Sequence, residues 1–236
     1  PTRGLVSYDA ATDTFDEVFK EDSRIADAGL FPEAEIHTVF GDSYLLLDFL
    51  KNSGILGVLR SVFLKDTDYE RVLCYVLHSI LKDGSRISCD DFISKSFAPY
   101  VVPDIMLSTL HTDSSFFSLL GDDKKKVAFF KVFIAMMQKS DPDFGKGCYV
   151  DSTPLPNDIN DNPFNALCCH GVGFSEVMSR LALVLDEKSG LPVWFDFIPG
   201  NILDLSEIMN IIEDVADTLG IEIDSLVLDA GYVSTE

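Results

Sequence analysis

The sequence has few positive charges. Its 236 residues contain 18 Lys and Arg against 39 Asp and Glu, which gives a formal net charge of −21 at pH 7. The imbalance is greatest from residue 147 to residue 236, where 16 acids accompany two bases, Arg180 and Lys188. A surface of this sign repels nucleic acid unless metal ions or basic segments intervene. The composition therefore counts against any function in which the chain handles DNA.

Long uninterrupted apolar runs are also missing. The longest apolar stretches, such as VAFFKVFIAMMQK at residues 127–139, are broken by charges within a few residues, so no membrane span and no membrane partner are predicted. No signal peptide precedes them. Hydrophobic residues nevertheless make up 47% of the chain, with 18 Phe, so a core can form in one large domain or two small ones.

A disulfide framework is missing as well. The cysteines are odd in number and have no framework spacing: Cys74, Cys89, Cys148, Cys168 and Cys169. This usage fits a reducing cytoplasm better than a secreted scaffold. The run CCH at residues 168–170 has no CxxC and no second ligand pair beside it, which favours a structural role over zinc binding.

What the sequence does contain indicates an α/β protein, α+β overall. Residues 1–40 form a polar lead, and residues 41–140 have the apolar periodicity of helices. Pro and Gly then punctuate KSDPDFGKG at residues 139–147, where we place a domain boundary. Residues 147–236 predict an incomplete mixed sheet with one crossover helix.

This second region reads as a strand, a hairpin, a helix and a strand. CYVDST (148–153) is the first strand, and the hairpin joins Leu181–Leu185 to Val193–Ile198. A helix follows Asp204 and stops before Gly220, and the last strand, residues 225–228, leads into Asp229. Because a crossover helix allows the last strand to lie parallel to the first, we expect Asp151 and Asp229 to lie close together.

Two converging carboxylates suit a hard divalent cation such as Mg²⁺, which prefers oxygen ligands. Asp also ends many strands as an ordinary turn or capping residue, so this alternative stays open. A phosphatase-like site with Asp151 as nucleophile is disfavoured, because Thr153 stands where a second Asp is expected. A Cys–His hydrolase that uses Cys168 or Cys169 with His170 lacks a nucleophile-elbow pattern.

Three stretches of this region resemble the DDE transposase domain of bacterial insertion sequences: YVDSTPL, RLALVLDEKSGLPVWFDFIPGNILD and IEIDSLVLDAGYVSTE. The first Asp of that family lies in a Y-x-D-x-T pattern, which Tyr149, Asp151 and Thr153 match. A P-G-N turn after the hairpin is matched at residues 199–201. The second Asp of the family lies in a D-x-G-[YF] pattern, which residues 229–232 match.

The resemblance implies a ribonuclease H-like fold and a metal-dependent reaction on DNA. In the family, two Mg²⁺ or Mn²⁺ ions held by Asp, Asp and Glu activate water to cut the ends of the element. The freed 3′-hydroxyl then attacks target DNA. By this resemblance Asp151 would bind both ions and Asp229 would bind one. Gly231 and Tyr232 would shape the turn behind the second ligand, and Thr153 would support the ligands.

The resemblance also implies partners and an incomplete site. The partners would be the DNA of the element ends and of the target, with assembly of dimers or larger oligomers on DNA. The third acid of the family, a Glu on a downstream helix, has no match, and residue 1 is Pro rather than Met. We therefore interpret the chain as an N-terminal fragment of a transposase that is inactive alone. The alternative is a non-catalytic remnant or interaction domain on the same scaffold, which fits the acidic charge.

Overall fold

The structure of the protein is a computed structural model that describes residues 5–9, 14–18, 41–82, 88–96, 114–168, 176–201 and 205–228. Contacts within the chain divide it into two compact units, Pro1–Lys125 and Lys126–Glu236. The described residues contain helices together with an open mixed sheet of five strands, so the predicted α/β class is confirmed.

The first unit is mainly helical in its described parts. Its elements are β1 Leu5–Asp9, β2 Thr14–Val18, α1 Gly41–Asn52, α2 Ile55–Val62, α3 Asp66–Leu81, α4 Cys89–Lys95 and α5 Ser114–Leu120. Within the polar lead predicted for residues 1–40, β1 and β2 pair as an antiparallel hairpin. No helix in the described ranges of the whole chain combines the length and the apolar character needed to cross a bilayer.

Helix α3 forms the centre of this unit. Leu73 and Leu77 repeat at the spacing of one helical turn, and both are buried. Leu47 and Leu50 from α1 and Ile93 from α4 belong to the same core cluster. The apolar periodicity of α1, α3 and α4 therefore reflects a packed helical core.

The second unit contains the sheet. Its elements are α6 Asp123–Met137, whose first three residues belong to the first unit, β3 Gly147–Pro156, β4 Ala166–Cys168, β5 Glu176–Asp186, β6 Pro192–Pro199, α7 Leu205–Leu219 and β7 Ser225–Leu228. The strands follow the order β4–β5–β3–β7, and β6 pairs with β5. β3, β5 and β6 are antiparallel neighbours, whereas β7 runs parallel to β3.

Strand β3 is longer than the sequence predicts, because it continues through two prolines. Pro154 and Pro156 have no N–H to donate, and both pair in register with β5. The N–H of Asn157 donates to the carbonyl of Val177 on β5 at 3.4 Å. Since N–H groups alternate in direction along a strand, those of residues 154 and 156 would point away from β5. The two prolines therefore interrupt no bond to β5.

One face of the sheet is covered and holds the core of this unit. Val150 of β3, Val184 of β5 and Trp194 of β6 are buried on it. Phe130 of α6 lies 5.2 Å from the ring of Trp194, so α6 packs on this strand. The compact unit begins at Lys126 and so includes most of α6, whereas the boundary placed from the sequence lies at residues 139–147.

The predicted hairpin and crossover helix are confirmed. In the pairing of β5 with β6, Ser179 lies opposite Pro199 at one end and Leu185 lies opposite Pro192 at the other. Gly190 in the turn between the two strands has a φ of 69°. In helix α7 the described apolar residues at helical spacing are buried: Ile208, Ile212, Val215 and Leu219. Gly220 follows the helix with a φ of 68°, a conformation that glycine adopts without strain at a helix end.

Candidate functional site

The candidate site begins at Asp151, in the middle of β3. Its side chain is exposed, whereas those of Val150 and Ser152 on either side are buried, as the alternation of a strand requires. Tyr149 and Thr153 share its face, and both are exposed. One carboxylate oxygen, Oδ1, accepts the N–H of Ser152 at 2.8 Å. No ion pair among the described residues includes Asp151, and no hydrogen bond among them includes its other oxygen, Oδ2.

An arginine fixes β3 on the opposite face. Ser152 Oγ accepts hydrogen bonds from Arg180 Nε at 3.0 Å and Nη2 at 2.9 Å. The same Nη2 donates to the carbonyl oxygen of Ser152 at 3.1 Å. These bonds join β5 to the residue that follows Asp151 and hold the strand rigidly at that point. Sequence reasoning missed this contact, although Arg180 is one of only two bases after residue 147.

Strand β7 lies directly beside β3, as predicted. The two strands are parallel, with Gly147 opposite Ser225 at the start of the pairing and Val150 opposite Leu228 at its end. The next residue of β3 is Asp151, and the next residue of the chain after Leu228 is Asp229. The pairing therefore ends one residue before both predicted ligands. Asp151 lies inside β3 rather than at its end, because β3 continues to Pro156.

Several predicted site residues lie outside the described residues: Asp229, Gly231, Tyr232, Cys169 and His170. Among the residues that the structure does describe, no group of three or more His, Cys, Asp or Glu side chains is arranged to hold a metal ion. One predicted metal ligand, Asp151, and one supporting residue, Thr153, are thus placed on the same exposed face of β3.

Two lysines near the start of α6, Lys125 and Lys126, have partners within the fold. The ammonium of Lys126 lies 4.6 Å from the ring centroid of Trp194 and 3.3 Å from Asp196. Only 15% of this side chain is exposed. The ammonium of Lys125 approaches the carbonyl of Val62 at 3.4 Å. Lys126 therefore anchors α6 to β6 instead of presenting its charge to a nucleic acid.

A cleft of about 330 Å³ lies at the opposite end of the β3–β7 pair, where both strands begin. Its charged lining residues are Asp143, Lys146, Asp186, Glu187, Lys188 and Asp224. Lys146 hydrogen-bonds Asp143 at 2.8 Å, which is the main reason why the pKa of that carboxyl is lowered. The cleft thus carries both signs of charge and includes neither Asp151 nor Thr153.

Asp186 is the buried member of this lining, with 2% of its surface exposed. Burial alone would raise the pKa of its carboxyl, but hydrogen bonds to the carboxylate outweigh burial and lower the pKa. Oδ1 accepts the N–H of Gly145 at 2.9 Å. Oδ2 accepts the N–H of Ser189 at 2.9 Å and its hydroxyl at 2.7 Å. This carboxylate organises the turn after β5, which is a structural role.

Comparison with known proteins adds no functional assignment. No protein-family model, curated protein or solved structure matches this chain. A function must therefore be argued from the geometry at Asp151 and from the sequence patterns around it.

Proposed function

We propose that this chain is part of a DDE-type DNA transposase of an insertion sequence and carries two of its three catalytic acids. The observation that carries the proposal is the parallel pairing of β3 with β7. The last described pair, Val150 with Leu228, directly precedes Asp151 and Asp229 in the sequence. A continued register would set the two carboxylates side by side. The order of strand, hairpin, crossover helix and parallel strand supports the ribonuclease H-like fold that the resemblance implies.

The surroundings of Asp151 fit a hard divalent cation. The carboxylate is exposed, forms no ion pair among the described residues, and has one oxygen free of protein hydrogen bonds there. Mg²⁺ typically binds one or two carboxylates and keeps several of its waters, so a solvent-facing pair of Asp side chains suits it. Asp151 and Asp229 would hold the metal, and Thr153 would support Asp151, which lies on the same strand.

Mg²⁺ or Mn²⁺, two ions in the complete site, would supply Lewis-acid stabilisation of charge on the reacting phosphate. The chain itself contributes orientation. Arg180 fixes the backbone of Ser152, and this contact limits the movement of the adjacent Asp151. Positioning of this kind matters because misplacement of a catalytic group by about 1 Å costs about 10²-fold in rate.

The remaining parts of the proposal follow from the resemblance. DNA is the partner, as element ends and as target, and the enzyme acts as a homo-oligomer on DNA in the cytoplasm. The third acid of the family has no match in these 236 residues, so they are expected to be inactive alone. Because the net charge of −21 repels phosphate at long range, contact between the site and phosphate would depend on metal ions or on short-range contacts.

The acidic charge favours one second candidate, a non-catalytic interaction domain on the same scaffold. The charge of Lys126 is held against Trp194 and Asp196 rather than presented to a nucleic acid. This candidate predicts that Asp151 binds no metal ion and that the residues around it tolerate substitution.

The test is a Mn²⁺ titration of the whole chain followed by electron paramagnetic resonance. The chain has 39 acids, so weak binding elsewhere is expected and must be subtracted. We expect the Asp151→Asn and Asp229→Asn variants each to lose the tightest site, with Mg²⁺ competing for it in the parent chain. The matched control is Asp158→Asn, which removes an exposed carboxylate near the end of β3 and should retain the site.

The outcomes separate the two candidates. Loss of the same site in both variants supports convergence of the two carboxylates. Identical titrations of the parent, Asp151→Asn and Asp229→Asn chains would mean that the pair forms no metal site, and the interaction domain would then be the better description.

A further inference from the structure

The core of the first unit contains two thiols that the proposed function does not use. Cys74 lies on α3 and Cys89 is the first residue of α4, and they are 0% and 2% exposed. Both belong to one core cluster with Leu73, Leu77 and Ile93. Neither is in a disulfide in the structure. Two thiols from two different helices thus share one buried cluster.

A hydrogen bond joins α3 to the residue that precedes α4. His78 Nε2 and Ser88 Oγ share a hydrogen bond of 2.9 Å. Cys74 precedes His78 by one helical turn, so the Cβ atoms of these two residues are about 5–6 Å apart. Cys89 follows Ser88 directly in the chain. The hydrogen bond therefore brings the start of α4 against the part of α3 that carries Cys74.

Electrostatics support the same proximity. Burial is the largest cause of the raised pKa of the Cys74 thiol, and the neighbouring thiol of Cys89 raises it further. Cys148 on β3 provides a contrast within the same chain. Its pKa is raised to about 11 by burial and by the carboxylates of Asp186 and Glu187, with no second thiol among the causes.

We propose that Cys74 and Cys89 form a reversible dithiol–disulfide pair, a modification site that joins α3 to α4 covalently under oxidising conditions. Both residues belong to one buried core cluster, and a disulfide between them requires that their Cα atoms come within about 4.4–6.8 Å of each other. The chemical partner is a small-molecule disulfide, for which oxidised glutathione is the probe.

Glutathione disulfide is the only oxidant that this thiol–disulfide exchange requires. Cys89 gives its proton to solvent, and its thiolate attacks one sulfur of glutathione disulfide, whose S–S bond breaks and releases one glutathione thiol. Cys74 then loses its proton and attacks the Cys89 sulfur of the mixed disulfide, and a second glutathione thiol leaves. Two protein thiols are oxidised and one small disulfide is reduced to two thiols.

The burial of both thiols sets the rate of this reaction. The attacking species is the thiolate, and the raised pKa of Cys74 keeps the thiolate population of that residue small at neutral pH. Reaction in the native state therefore depends on transient opening of the short helix α4, and its rate should increase with pH. The equilibrium position depends only on the relative stabilities of the two forms, so the pair can be buried and still respond to the redox poise.

The experiment equilibrates the whole chain with glutathione buffers of increasing oxidising poise, quenches with acid, and alkylates the remaining thiols in denaturant. Peptide mass spectrometry then identifies each cysteine. We expect a peptide pair linked through Cys74 and Cys89, lighter than the two reduced peptides by two hydrogen atoms. Cys148 should be alkylated at every poise, and dithiothreitol should reverse the link.

Variants distinguish the pair from general oxidation. Cys148→Ser should leave the Cys74–Cys89 link unchanged. Cys89→Ser should leave Cys74 reduced, with no link to another cysteine, and circular dichroism confirms that the variant is folded. Links that join Cys74 or Cys89 to other cysteines as often as to each other would overturn the proposal. So would a fully reduced pair in parent chain refolded in the most oxidising buffer.

Discussion

At the scale of single residues, Asp186 is the side chain whose bonds most clearly hold a local structure in place. We predict that Asp186→Asn lowers the free energy of unfolding by about 2–3 kcal/mol, because an amide nitrogen cannot accept the bonds that one carboxylate oxygen accepts. The donors are the N–H groups of Gly145 and Ser189 and the Ser189 hydroxyl. Urea unfolding followed by the fluorescence of Trp194, the single Trp of the chain, measures the change.

The pH dependence of this effect has a definite sign. The pKa of Asp186 is lower in the folded chain than its ordinary value, so its stabilisation is present above the unfolded pKa of about 3.9. It is lost as the pH falls through the folded pKa. The difference between the parent chain and Asp186→Asn should therefore shrink below about pH 4. Asp214→Asn, at an exposed position of α7, is the control, and an equal loss in both variants would contradict the assignment.

At the scale of elements, the P-G-N pattern after β6 has a packing explanation. A Cβ at Gly200 would overlap the carbonyl oxygen of Met178 on β5 and lie 2.9 Å from its carbonyl carbon. Gly200 also donates its N–H to the carbonyl of Phe164 at 3.2 Å. The glycine is therefore required for close approach of two backbones, whatever chemistry the sheet performs.

We predict that Gly200→Ala lowers the free energy of unfolding by about 3 kcal/mol, since the obstructing atoms belong to backbone and cannot move aside. The control is Gly190→Asn in the β5–β6 turn. Gly190 has a φ of 69°, and a Cβ added there would meet no atom within 4 Å. Asn tolerates such a φ, so the cost of this substitution should stay below about 1 kcal/mol. Equal unfolding curves for the two variants would show that β5 can shift away from residue 200.

The order of elements in the second unit is predictable from the sequence, because local patterns determine it. Turn residues around Gly190 mark the hairpin, and the spacing of Ile208, Ile212 and Val215 marks helix α7. The length of β3 is not predictable in the same way. Its continuation through Pro154 depends on pairing with Arg180 of β5, which lies 26 positions further along the chain.

The candidate site is predictable only in part, for the same reason. Asp151 stands out because a strand pattern surrounds it, and the parallel neighbour follows from the crossover helix. The Arg180–Ser152 contact and the burial of Lys126 against Trp194 depend on which strands become neighbours. A single sequence shows that Lys126 is charged, but it does not show that the ring of Trp194 packs against the ammonium group.

At the scale of the whole molecule, charge decides how the chain can meet DNA. A cationic DNA-binding protein releases counterions and loses affinity steeply as salt rises, by about 10³–10⁵ between 50 and 200 mM for 6–10 phosphate contacts. The net charge of −21 gives this chain the opposite long-range interaction with phosphate. Any association that it shows must come from short-range contacts or from bound metal ions.

We predict that without divalent ions the chain does not bind labelled duplex DNA at low salt, and that rising NaCl does not weaken any residual association. Fluorescence anisotropy over about 50–200 mM NaCl measures this dependence. Added Mg²⁺ should increase binding in the parent chain, and Asp151→Asn should reduce that increase while Asp158→Asn does not. A steep loss of binding with NaCl in the absence of Mg²⁺ would reveal a cationic surface, and contact with DNA would then not depend on the metal site at Asp151.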